Sequence, residues 1–239
     1  MPTDDNAAGV RARDREPGLI GKTPPGPESH RELAARWLDL LGRLTELSAG
    51  ALTDWRWDGH GTAPGEPVPR HVDAFARAVG AANRHDDADI IGSSAYVVGR
   101  QPDGAYAQLR VTAGGSDEFS PFSAALLLFP GSPGGAVPLA DRLAEALAAV
   151  AGAWDPDHGS AHDRELFTAL RTAYGLRPSQ PRCGWAVFLS AHRAARVPAG
   201  LAAPRLEAGS GGVVLKIGTT KDVVLAAHRT LADAGALDR

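Results

Sequence analysis

Between residues 29 and 49, hydrophobic residues recur every three or four positions, which places them on one side of a helix. Ser29 and Glu32 match a capping box at its start. Gly50 follows as a C-terminal stop, because glycine enters the left-handed conformation at little cost. We therefore predict a helix from Ser29 to Ala49. Its apolar stripe consists of Leu33, Trp37, Leu40, Leu44 and Leu47, and a second, shorter helix is predicted by Val72, Phe75, Ala76 and Val79.

From Ile90 the spacing changes to two, the period of a β-strand. Residues 90–98 and 106–111 alternate in this way, and the turn residues 102–104 between them predict a hairpin. Residues 124–129 are apolar at every position, which is typical of a central strand covered on both faces.

The second half of the chain has the same block order of strands and helices. Pro138 predicts the start of a helix that ends at Gly152, and a further helix with Ser160 or Asp163 as its cap ends at Gly175. Strands are predicted at 185–189, around Leu206 and at 213–217, before a last helix capped by Thr219 or Thr220. Because helices and strands come in blocks and do not alternate strictly, we predict an α+β fold, with helices packed on an antiparallel or mixed β-sheet.

Residues 1–27 have a different composition. They are rich in proline and glycine, with balanced charges and few large apolar residues, among them Leu19 and Ile20. Such a segment cannot bury enough surface to offset the entropy of ordering. We predict a disordered tail over residues 1–27 and a single α+β domain over residues 28–239.

Composition excludes several classes of protein. The net charge of −3 is too small to indicate a nucleic-acid partner. The longest apolar run, 124–129, is too short to cross a bilayer, and no signal peptide is apparent, so we expect a cytoplasmic protein without a membrane partner.

Cys183 is the single cysteine, which excludes an internal disulfide. It has no orienting third group beside His192, so we interpret it as a buried hydrophobic residue.

One short segment concentrates possible metal ligands. They are Asp155, Asp157, His158, His162 and Asp163. A calcium loop opening at Asp155 would need oxygen ligands where the chain has Gly159 and Leu166, and no zinc-protease spacing is present. We therefore predict a structural or interface loop with no metal, no cofactor and no catalytic residue. A small enzyme or a ligand-binding module that uses residues 155–163 remains the alternative.

Residues 54–58 place Trp55 and Trp57 beside an arginine and two aspartates. Tryptophan and arginine often dominate the binding energy of protein interfaces, so an exposed patch here would indicate a partner. The alternative is that the indoles fold back onto the core, since large aromatic side chains are mostly buried.

Three signatures precede the last helix in a characteristic order. They are WDPDHG at 154–159, GWAVFL at 184–189 and GGVVLKI at 211–217. In this order they resemble the Immunity protein 52 family of bacterial polymorphic toxin systems, over about Ser29 to Arg239. The resemblance implies a non-enzymatic antitoxin that binds and neutralises a cognate protein toxin, in related systems often a nuclease. Its function would then lie in a surface patch, and we predict Trp55, Trp57, Asp155 and Asp157 as the partner-binding residues.

Overall fold

The structure is a computed structural model, and it describes residues 18–23, 28–59, 61–84, 86–116, 122–177 and 180–238. Within these residues, nine strands form one antiparallel sheet in the order β2-β3-β4-β5-β1-β6-β7-β9-β8. The strands are β1 (Gly18–Thr23), β2 (Asp54–Trp57), β3 (Ser93–Arg100), β4 (Tyr106–Ala113), β5 (Phe122–Phe129), β6 (His158–His162), β7 (Ala186–Leu189), β8 (Arg205–Ala208) and β9 (Gly212–Lys216). The helices are α1 (His30–Leu47), α2 (Val72–Ala82), α3 (Ala88–Ile91), α4 (Leu143–Trp154), α5 (Arg164–Tyr174), α6 (Ala191–Ala194) and α7 (Lys221–Asp233). The predicted α+β class with an antiparallel sheet is confirmed.

Helices cover the two faces of the sheet unequally. On one face, α1, α2 and α4 bury the larger core cluster, which extends from β2 to β9. Helix α4 packs against α1 and crosses strands of the second half of the sheet. On the other face, α5 and α7 bury a smaller cluster against β7 and β9. None of the described helices combines the length and apolarity that crossing a bilayer requires.

Helix α1 follows the prediction closely. The Ser29 side chain accepts a hydrogen bond from the backbone of Glu32, whose carboxylate accepts one from the backbone of Ser29. The helix ends at Leu47, and the next turn passes through Ala49 and Gly50 with positive φ. The predicted stripe is buried up to Leu44 because it faces the sheet.

Strand β1 lies within the segment that we predicted as a disordered tail. Its backbone pairs with β5 on one side and with β6 on the other. This corrects the tail boundary for residues 18–23, whereas residues 1–17 and 24–27 lie outside the described residues. The physical reason is non-local: β5 and β6 each have an edge whose backbone groups need partners, and a short extended segment satisfies both edges at once.

Two elements of the first half also differ from the prediction. Residues Ala88–Ile91 form the short helix α3, so β3 begins at Ser93 and not at Ile90. In β5, Ala124, Leu126 and Leu128 are buried while the residues between them remain partly exposed. The prediction that this strand is covered on both faces is therefore wrong, because no described helix packs on its second face.

The second half contains one unpredicted strand. Residues His158–His162 form β6, so Ser160 lies in a strand, and Asp163 alone caps α5. Helix α4 starts at Leu143 and continues through Gly152 to Trp154, where Asp155 takes the left-handed conformation with φ 46°. Gly175 ends α5 and Thr220 precedes α7 as predicted.

Gly184, from the second signature, lies against β6. A Cβ atom there would overlap the carbonyl oxygen of Ala161, which accepts a 2.7 Å hydrogen bond from the backbone of Trp185. We expect Gly184→Ala to lower the free energy of unfolding by about 3 kcal/mol, because a backbone oxygen cannot move aside as a side chain can. Urea unfolding measures this loss. Gly200→Ala is the matched control, since its added Cβ meets no atom within 4 Å; equal stability of the two variants would contradict the explanation.

Candidate functional site

Trp55 and Trp57 point into the core from β2. They are 8% and 4% exposed, respectively. The Trp55 indole nitrogen donates a 3.1 Å hydrogen bond to the Thr45 hydroxyl, and the Trp57 ring lies 5.0 Å from that of Phe75. The core alternative is confirmed for both, so they do not form an exposed patch and we do not carry them into the proposed interface. The alternation of residues 54–57 is itself a strand pattern, which was the signal available in the sequence.

Asp157 holds distant parts of the chain together. Its carboxylate lies 2.6 Å from Nη2 of Arg193 and accepts a 3.2 Å hydrogen bond from the Ser190 hydroxyl. The His158 ring, whose Nδ1 lies 3.7 Å from the carboxylate, and the Arg193 guanidinium hold the pKa of Asp157 well below its usual range, although partial burial opposes them. Arg193 also donates to the carbonyl oxygens of Ala236 and Asp238. Because this carboxylate stabilises the fold, we do not carry it into the proposed interface either.

Asp155 stays at the surface. Its backbone N–H bonds the carbonyl of Ala151 at 2.8 Å, and its carboxylate accepts a 2.9 Å hydrogen bond from the backbone of Ser210. The residue therefore links the end of α4 to the glycine-rich turn before β9. Its side chain is accessible to a partner, and its place in an interface stays a prediction.

The remaining polar residues of this segment point in different directions. His162 is buried against Phe167, with ring centres 5.2 Å apart, and burial together with Arg182 lowers the pKa of His162 to about 4. Asp163 accepts a 2.8 Å hydrogen bond from the backbone of Leu166 as the cap of α5. Among the described residues, no group of three histidine, cysteine or acidic side chains converges to hold a metal ion.

Burial raises the pKa of the Cys183 thiol, which disfavours the nucleophilic thiolate.

A groove of about 490 Å³ opens beside the start of α4. Its lining includes Leu143, Glu145, Asp163, Trp185 and Lys216. Burial raises the pKa of Glu145, but the 2.8 Å hydrogen bond from Lys216, a backbone hydrogen bond and the charges of Lys216 and Arg142 together outweigh it, and the net shift is downward. Asp157, His158 and His162 do not line this groove. This groove is therefore not the cleft that the enzyme alternative requires.

The most distinctive surface lies on the first half of the sheet. One set of side chains on strands β2 to β5 points away from α1, α2 and α4, and no described helix packs on these side chains. We call this surface the open face. Its side chains form rows across the strands: Asp54, Arg100, Tyr106 and Phe129 in the first, Arg56, Val98, Gln108 and Leu127 in the second, and Tyr96, Arg110 and Ala125 in the third. All of these except Val98 are half-buried or exposed.

Aromatic and arginine side chains stack across the open face. The Tyr106 and Phe129 rings are parallel to within 10°, with centres 4.4 Å apart. The Arg100 guanidinium lies 5.3 Å from the centre of the Tyr106 ring, and that of Arg110 lies 5.3 Å from the centre of the Tyr96 ring. The sequence pattern alone does not mark these residues as a site. Their alternation in β4 was visible, but only the strand register brings them into one surface.

Comparison with known proteins extends the description of the fold. No protein-family model matches the chain, and no curated protein matches it in sequence. The Pseudomonas aeruginosa T6SS protein PA0821 is similar in structure, with a TM-score of 0.50 and 13% sequence identity. The match covers 93% of this chain and 75% of that chain. At this identity the likeness shows the fold alone.

Proposed function

We propose that this chain is a bacterial immunity protein that binds a cognate protein toxin in the cytoplasm and neutralises it by direct contact, without catalysing a reaction. The open face is the observation that carries this proposal. Tyrosine and arginine are the residue types that most often dominate interface energy, and the open face presents them on a rigid sheet. A flat surface of this kind fits another protein better than it fits a small molecule.

The dimensions of the open face are consistent with the centre of a protein interface. Four neighbouring strands with about six residues each span roughly 15 by 20 Å. A standard interface covers about 800 Å² on each partner, so surrounding loops would complete the contact.

Two further observations support a toxin-system context. The three signatures at 154–159, 184–189 and 211–217 resemble the Immunity protein 52 family. The structural neighbour from Pseudomonas aeruginosa is named a T6SS protein. Neither observation names the toxin; a nuclease remains the class that the resemblance implies.

Calorimetric titration of the full chain against the purified toxin domain encoded beside it tests the proposal. We expect a dissociation constant in the nanomolar range and loss of toxicity when the two are expressed together. Absence of heat at saturating concentrations, together with unprotected cells, would reject the immunity function and direct attention to ligands of the groove at Glu145 and Lys216.

The surface carboxylate of Asp155 gives a separate prediction. We expect Asp155→Asn to weaken toxin binding about tenfold, the effect of losing one charge-assisted contact. Asparagine tolerates the left-handed conformation and keeps a side-chain oxygen for Ser210, so stability should remain near that of the parent chain. The same titration measures the change, with the exposed Asp233→Asn as control. Unchanged affinity would remove Asp155 from the interface.

A further inference from the structure

We infer that the open face receives an acidic surface of the toxin, with Arg100 and Arg110 as the two groups that bind its carboxylates. This inference rests on the proposed function and specifies the chemistry of the partner. It follows from the positions of these two arginines, from their contacts, and from the other charges on the same surface.

Arg100 and Arg110 are held in place by aromatic rings. Each guanidinium lies over a tyrosine of the neighbouring strand, and both arginine side chains are exposed. Stacking on a ring leaves the N–H groups at the edge of the guanidinium available to donate. Because the ring limits the orientations of the side chain, less entropy is lost when a carboxylate binds.

Other charged groups on the open face already have partners within the chain. Arg56 donates a 2.7 Å hydrogen bond to Asp54, and Asp58 accepts a hydrogen bond from Gln108. Among the described residues, no carboxylate lies within ion-pair distance of Arg100 or Arg110. The two guanidinium groups are therefore the cations that the open face offers to a partner.

The strand register defines what the partner must present. Arg100 lies opposite Tyr106, and Tyr96 lies opposite Arg110, so the two arginines stand on adjacent strands four positions apart. Their Cα atoms are therefore separated by about 14 Å. In the row between them, the buried Val98 lies opposite Gln108. A fitting partner presents two carboxylates at about this spacing.

Charge favours a protein partner over a nucleic acid. The open face carries two aspartates, Asp54 and Asp58, beside its three arginines, and the whole chain has a net charge of −3. A polyphosphate backbone would be repelled by these carboxylates and would require more cations than the open face supplies. A protein surface can place its carboxylates over the arginines alone.

The test compares charge-reversed variants of the full chain for binding to the toxin domain used above. We expect Arg100→Glu/Arg110→Glu to weaken binding about 100-fold and to slow association, with a smaller loss for Arg100→Gln/Arg110→Gln. Increasing NaCl from 50 to 500 mM should slow association of the parent chain and have little effect on the reversed variant. Arg229→Glu is the control for charge reversal, because it makes the charge change of one reversed arginine at an exposed position on α7. Circular dichroism of each variant verifies folding, and the glutamine pair decides the result if the glutamate pair does not fold.

Each outcome has a defined meaning. Loss of affinity in the open-face variants, with Arg229→Glu unchanged, supports the inference. Tight binding that is insensitive to these variants overturns the inference and leaves the immunity function in place. No binding by the parent chain rejects the function and the inference together. A dimer of the parent chain that the open-face variants dissociate, or a labelled RNA oligonucleotide that competes with the toxin, would assign the open face to another occupant and also overturn the inference.

Discussion

Replacement of Arg193 by methionine is expected to lower the free energy of unfolding by about 3 kcal/mol. The Arg193 side chain is 8% exposed and bonds the Asp157 carboxylate through Nε at 2.8 Å and Nη2 at 2.6 Å. Its Nη1 donates to the carbonyl oxygens of Ala236 and Asp238 at 3.0 and 2.7 Å. Methionine fills similar volume but supplies no donor, so one carboxylate and two carbonyl oxygens lose a partner together.

Urea unfolding at pH 7 measures this loss. Arg196→Met is the matched control, because Arg196 is exposed and its ion pair with Asp238 is 3.7 Å long. Surface pairs of this kind contribute about 0 to 1 kcal/mol. Adding Asp157→Asn to Arg193→Met should recover part of the stability, since the uncompensated charge is then removed. Similar losses for the Arg193 and Arg196 variants would show that the Asp157 contact does not hold α6 and the C-terminal segment to the sheet.

Acidification from pH 7 to pH 4.5 is expected to lower the free energy of unfolding by about 4 kcal/mol, through two buried histidines. Burial, together with Arg182, lowers the pKa of both His162 and His228 to about 4. His228 lies 4.5 Å from the Tyr174 ring, and its Nδ1 accepts a 3.4 Å hydrogen bond from the backbone of Cys183. A proton on Nδ1 would abolish that bond and place a charge beside Arg182.

The sign of this effect follows from proton binding. The unfolded chain takes up protons at these histidines below about pH 6.5, whereas the folded chain resists them until about pH 4. The contribution of these two histidines to the free energy of unfolding is therefore fully present above pH 6.5 and falls as the pH decreases towards 4. The lowered pKa of Asp157 acts in a different window, because its contribution is lost only below the ordinary pKa of an aspartate.

Urea unfolding curves at intervals of half a pH unit between pH 7 and pH 4.5 measure how steeply the free energy of unfolding depends on pH. His162→Gln/His228→Asn should flatten it, because the groups that take up protons on unfolding are gone. His192→Gln is the control, since this histidine is exposed on α6. A parent chain of constant stability over this range, or a slope that the double variant retains, would contradict the assignment.

The signature residues now have structural explanations. Gly184 lies against the backbone of β6, and a Cβ on Gly212 would lie 2.6 Å from the Phe188 ring. Trp154 packs on Phe122 and Trp37 at the end of α4. These residues stabilise the region where α4 crosses the sheet. The fold therefore explains why these residues occur in the signatures. The open face, which carries the proposed function, lies outside all three signatures.

Local interactions were predictable from the sequence because they connect residues a few positions apart. The capping box at Ser29, the stop at Gly175, the hairpin between β3 and β4 and the α+β class all depend on such spacing. The tertiary structure alone decided the pairing of β1 with β5 and β6, the contact between Asp157 and Arg193, and the assembly of Arg100, Arg110 and their tyrosines into the open face. Each of these depends on which segments become neighbours in the sheet, and that choice is made by strand register and by helix coverage over the whole chain. The spacing of residues along one segment does not contain this information.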